Sequence, residues 1–124
     1  MLLQIHSFLS NMVSLYAVLA GVFAAYYFIT RQPPGGSLWG VLGIAEGLFI
    51  VQVLMGIFLA LSGAPLPARV ELHILYGLSS ILTLPLVYTF TRNRSPALTS
   101  GLFCVALFFI WGLAQRAVET GATR

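Results

Sequence analysis

Two histidines, His6 and His73, are the residues of this chain with the clearest capacity for chemistry. A neutral imidazole binds metals through one ring nitrogen while the other donates a hydrogen bond, and both histidines stand inside long apolar runs. Four other polar or ionisable side chains share that setting: Asn11, Glu46, Gln52 and Arg116. A polar group in a hydrocarbon environment costs free energy unless it finds a partner, so each is a site candidate by default. Other chemistries lack their parts. No nucleophile and base are spaced for hydrolysis, and Pro33, Pro34, Gly35 and Gly36 form a turn without the strand, helix and lysine of a phosphate cradle. The single cysteine, Cys104, cannot form an intramolecular disulfide and reads as a small packing residue.

The surroundings of these residues are set by composition. The 124 residues are 59% hydrophobic and 7% charged, where a soluble domain carries about a quarter charged residues. Six basic and three acidic side chains cannot cover a water-facing surface. The exterior must therefore meet lipid, and a net charge of +3 dispersed over loop ends implies no nucleic-acid partner. Four apolar segments reach the roughly 20 residues that a hydrocarbon core requires. They run over 3–29, 38–61, 70–90 and 98–117, separated by clusters rich in proline, glycine, serine and arginine. Lipid satisfies no backbone hydrogen bonds, so the segments are helices. Short connections make each antiparallel to the next. The expected fold is all-α, an integral membrane up-down-up-down four-helix bundle in one domain. The first segment lacks a basic leader and a small-residue cleavage site, and is read as a retained helix.

Expected packing faces follow from small residues at four-residue spacing: Ala17, Gly21 and Ala25; Gly43 and Gly47; Gly56 and Ala60; Gly77 with Ser79 and Ser80; Gly101 and Gly112. Pro85 removes a backbone donor from the third helix, where a kink is expected. Aromatic residues toward the segment ends, such as Trp39 and Tyr88, suit the membrane interface. Basic residues are tied between the two boundaries: Arg69, Arg116 and Arg124 on the side of the termini, Arg31, Arg92 and Arg94 on the other. Glu71 and Glu119 lie on the first side, and the expected orientation places both termini outside the cell membrane.

His6 and His73 begin the first and third helices from the same boundary, so they form a depth-matched pair. Adjacent helices pack about 8 to 10 Å apart, which puts diagonal axes roughly 11 to 14 Å apart. That gap suits a planar macrocycle held edge-on between two imidazoles. Ser10 and Gly77 lie on the same helix faces and leave room for a flat ring, while Arg69 and Arg116 stand at that boundary to neutralise acidic ligand edges such as propionates. Interfacial histidines bonded to loops, headgroups or another subunit are the plain alternative, and a quinone, another pigment or another metal contact is a third reading. Glu46 lies toward the opposite boundary, as a satisfied packing carboxyl, a proton or quinone site, or a subunit contact. Gln52 is expected to donate to a backbone carbonyl or a neighbouring helix.

The order of His6, then Gln52-Val53-Leu54-Met55-Gly56, then Glu71-Leu72-His73 resembles three consecutive helices of a haem A synthase half. In that family each four-helix half holds a haem between histidines near the outer surface, with a Q-x-x-x-G stretch on the intervening helix. The resemblance spans roughly residues 3–89. Leu2 stands where the family's catalytic half has a glutamate four residues before its first histidine, and this chain has one half rather than two. The resemblance therefore implies haem b binding rather than methyl-oxidising chemistry. The expected function is a small haem-bearing electron-transfer module, or a subunit of a respiratory or photosynthetic complex, without independent catalytic activity. Its partners would be the lipid bilayer, other membrane subunits and a redox partner. The competing expectation is a cofactor-free accessory subunit.

Overall fold

The computed structural model describes residues 1–121 as four helices: α1 (Leu2–Ile29), α2 (Gly36–Leu61), α3 (Val70–Thr91) and α4 (Pro96–Gly121). All four are long and apolar enough to cross a membrane. Arg124, counted above on the side of the termini, lies outside the described residues.

Local chemistry explains the turns. α1 ends with Arg31 in the left-handed region (φ 56°), Arg31 N–H donating to Phe28 O and Gln32 N–H to Tyr27 O. α2 closes the same way at Gly63 (φ 86°), with Gly63 N–H donating to Ala60 O and Ala64 N–H to Leu59 O. Both are Schellman endings, in which two otherwise unpaired carbonyls gain donors. α4 starts on Ser95, whose Oγ accepts from Leu98 N–H at 3.1 Å, with Pro96 at the first helical position where its missing donor costs nothing.

Helices α1 and α4 pack together most extensively, followed by α3 with α4; α1 with α2 is lighter and α2 with α3 lightest. Helices α1 and α3 are therefore diagonal. The core lies mainly between α1 and α4, where Val13, Ala17, Ala24, Phe103, Leu107 and Ile110 are buried, with Leu38, Leu42, Ala45 and Phe49 of α2 closing one side. Leu19, Val22, Ile44, Phe58, Leu82, Leu86 and Phe109 point outward. In water this exterior would be untenable, whereas in a bilayer it is the ordinary lipid face.

Several packing expectations change. Gly21 and Gly101 are true close approaches: an added Cβ would lie 3.0 Å from the Phe108 ring and 2.7 Å from the Phe28 ring respectively. Gly43, Gly47 and Gly112 instead have nothing within 4 Å of an added Cβ. On α2 the reason is angular, since the inward face is taken by Leu38, Leu42, Ala45 and Phe49, and the glycines stand off it. α4 begins two residues earlier than expected and continues past Ala117 to Gly121. No breaker interrupts Val118, Glu119 and Thr120, and the Arg116–Glu119 ion pair (2.6 Å) and the Thr120 Oγ1 bond to Arg116 O (2.9 Å) lie along the extra turn.

Candidate functional site

The beginnings of α1 and α3 and the end of α4 meet at one end of the bundle. Arg69 N–H donates to Thr120 O at 3.1 Å, tying the α2–α3 connection to the last turn of α4. Here the His6 and His73 rings approach edge-on, with centroids 6.3 Å apart and planes inclined at 66°. The diagonal helices thus bring together the two imidazoles that the sequence pairs by depth.

Each ring is held by a different neighbour. His73 Nδ1 lies 2.8 Å from Ala117 O. A carbonyl only accepts, so Nδ1 carries the hydrogen and Nε2 of the neutral ring keeps its lone pair. A backbone acceptor on the outer nitrogen is the usual support of a metal-binding histidine. The ring also rests on Gly121, whose added Cβ would lie 2.6 Å from Cε1 and 2.7 Å from Nδ1. No side chain fits at that position without moving the imidazole. His6 rests on Gly56, where an added Cβ would lie 3.3 Å from His6 Cε1. Gln52 Nε2 donates to His6 O at 2.8 Å, so both ends of Gln52-Val53-Leu54-Met55-Gly56 touch His6. One residue fixes its backbone and the other makes space for its ring.

Two polar atoms at this junction are buried without a hydrogen-bond partner: His6 Nδ1 and Gln52 Oε1. Buried polar groups are nearly always paired, so these two atoms set the junction apart from the rest of the packing. Among the described residues no three His, Cys, Asp or Glu side chains converge. The donor set is a pair of imidazoles from diagonal helices in edge-on contact.

The remaining candidates sit around this pair rather than in it. Ser10 Oγ donates to Ser7 O at 2.6 Å. Gly77 faces α2, where its added Cβ would lie 3.7 Å from Val53 Cγ2. Arg116 is exposed, paired with Glu119 and 5.9 Å from the Tyr76 ring centre, and Arg69 is exposed at the start of α3. Neither guanidinium is hydrogen-bonded to a histidine. Asn11 is exposed.

The sequence reading missed three groups. Ala117 O and Gly121 support His73 only because α4 runs beyond its expected end. Gln115 accepts the Ser14 hydroxyl at 2.7 Å and joins α1 to α4, a little over two turns along α1 from His6. Its signal was visible, as a lone amide in the apolar fourth segment. No family model matches the chain, and neither a curated protein nor a solved structure matches it.

Proposed function

We propose that the chain is a small b-type haem-binding membrane protein in which His6 and His73 would hold the haem iron. The observation carrying this reading is the 6.3 Å approach of two imidazoles from diagonal helices, one of them held by its Nδ1 on a backbone carbonyl. At a ring-centre separation of about 6 Å, one metal ion could be reached by both imidazoles at an ordinary metal–nitrogen distance of about 2.0 Å. The unpartnered His6 Nδ1 and the glycines beneath and beside the rings fit the same assignment.

A haem held there would supply one-electron exchange, with a potential set by the two imidazoles, burial and nearby charge. The residues of the chain hold and orient it. Ala117 O fixes the His73 tautomer, Gln52 anchors the backbone of His6, and Arg69 and Arg116 lie at the boundary where propionates would emerge. The fitting role is electron transfer, as a module or as a haem-bearing subunit of a larger respiratory or photosynthetic assembly in the cell membrane, with both termini outside. Absorption spectroscopy of detergent-purified protein from haem-replete cells tests the proposal. A reduced spectrum with sharp b-type bands at one haem per chain supports it, and colourless protein overturns it.

One observation favours the second reading, a cofactor-free accessory subunit. Gly40, Gly43 and Gly47 leave an open strip on the outer side of α2, suited to close approach by a helix of another subunit.

A further inference from the structure

Glu46 takes no part in the histidine junction. It is the tenth residue after the start of α2, about 15 Å along the helix, and its Oε1 is buried without a partner. We propose that Glu46 is a proton-binding site: a neutral carboxyl at the α2–α3 seam that donates its hydrogen to the Ile81 carbonyl, which Pro85 deprives of its helical donor.

The face of Glu46 is fixed by residues two turns away on either side. Seven residues before it, Trp39 meets Tyr88 of α3 with ring centres 5.8 Å apart. Seven residues after it, Val53 meets Gly77 of α3. Residues seven apart lie within about 20° of one another around a helix, so Glu46 also faces α3. Its level follows from the same contacts. The midpoint between Gly77 and Tyr88 falls at Leu82 and Thr83. The α3 face at that level contains Ile81, which packs against the core, and buried Leu84.

Here the backbone of α3 is one donor short. Proline has no N–H, so the Ile81 carbonyl, four residues before Pro85, lacks its ordinary helical partner. The neighbouring hydroxyls are committed elsewhere: Ser80 Oγ donates to Gly77 O and Thr83 Oγ1 to Ser79 O, each at 2.7 Å. An acceptor without its helical donor thus stands across the seam from a half-buried carboxyl whose Oε1 has no partner. The neutral carboxyl has the hydrogen that this acceptor needs.

No charge in the surroundings favours the ionised form. On α1 the titratable neighbour is Tyr16, whose hydroxyl donates to Val41 O at 2.9 Å. Cys104 is a neutral thiol on α4, whose backbone runs along α1 and α3 and which meets α2 through the Phe103–Trp39 ring contact at 5.5 Å. His73 and Tyr76 lie toward the other end of α3. Arg92 and Arg94 lie beyond Tyr88, Arg31 belongs to the first turn, and no ion pair joins Glu46 to any of them. A carboxylate with one oxygen buried in an apolar setting and no cation beside it is disfavoured against its acid. A cavity of about 300 Å³ lined by Trp39, Tyr88, Thr91, Arg92 and Arg94, among others, lies at the level of Trp39, about two turns along α2 from Glu46.

Infrared spectroscopy of the full-length protein in lipid nanodiscs at neutral pH reads the protonated carboxyl directly through its C=O stretch. The expected result is a band that shifts in deuterated water, disappears in Glu46→Gln and persists in Glu71→Gln with Glu119→Gln. Pro85→Ala returns a donor to the Ile81 carbonyl and should move the band to higher wavenumber, as a carboxyl that has lost its hydrogen bond does. Where Pro85→Ala fails to fold, Glu46→Asp shortens the reach and should give the same upward move. A wild-type spectrum without a protonated-carboxyl band, a band unaffected by Glu46→Gln, or a band unmoved in the folded Pro85→Ala or Glu46→Asp protein overturns the proposal. None of these readouts depends on haem.

Discussion

Replacing Gly121 by alanine tests the histidine junction at its tightest point. The new Cβ would lie 2.6 and 2.7 Å from Cε1 and Nδ1 of His73, inside any tolerable contact distance, so the imidazole must move. Nδ1 is the atom that donates to Ala117 O at 2.8 Å, and the movement needed to clear the methyl group breaks that bond. The lost hydrogen bond is worth about 0.5–1.5 kcal/mol, and overpacking of this kind costs about 1–3 kcal/mol. Together they correspond to a loss of roughly ten- to a thousandfold in retention of a ligand that depends on His73. Gly56→Ala is the milder companion, because its Cβ meets His6 Cε1 at 3.3 Å and a shift of a few tenths of an ångström relieves it. Gly112→Ala is the control, with nothing within 4 Å of the new Cβ and alanine the better helix former. Haem occupancy measured by absorbance during dilution in detergent, with helicity checked by circular dichroism, should fall in the order Gly112→Ala, Gly56→Ala, Gly121→Ala. Equal occupancy in Gly121→Ala and Gly112→Ala would refute the placement of His73 against the end of α4.

Other consequences can be measured independently. Ser14→Ala removes the α1–α4 bond to Gln115, and thermal unfolding in detergent should report a loss of about 0.5–1.5 kcal/mol, with no change if the hydroxyl is instead free to bond elsewhere. The double substitution Arg69→Gln with Arg116→Gln should weaken haem retention and lower the midpoint potential slightly, most at low salt, because both guanidinia are exposed and screened; an unchanged potential across a salt titration would assign both to headgroups. Impermeant-reagent tagging of cysteines placed at the two ends of the chain should label both from the same side of the membrane, as the meeting of α1, the α2–α3 turn and α4 at one end requires.

The sequence exposes the helices and the histidine pair because the physics behind them is local or periodic. Spanning length and turn chemistry define the four segments, and short connections make α1 and α3 diagonal. Depth then pairs His6 with His73, and a lone amide at Gln52 must find an acceptor, which is the His6 carbonyl. The contacts that depend on rotation about a helix axis are less legible. Gly43 and Gly47 have the spacing of a packing face, yet the bulkier Leu38, Leu42, Ala45 and Phe49 decide which side of α2 turns inward. The support of His73 is hidden for a different reason: hydropathy falls off after Ala117, while the helix itself continues through the Arg116–Glu119 pair to Gly121. Membrane boundary and helix end are separate quantities, and only the first is marked by apolarity.

The central claim is that His6 and His73 together hold one metal-centred macrocycle. Its most direct test is the low-temperature electron paramagnetic resonance spectrum of the oxidised protein, compared among wild type, His6→Ala and His73→Ala at matched protein concentration. The wild type is expected to give a low-spin bis-histidine ferric signal that is lost in each single variant, with the fold retained. The same low-spin signal at undiminished intensity in both folded variants would contradict it.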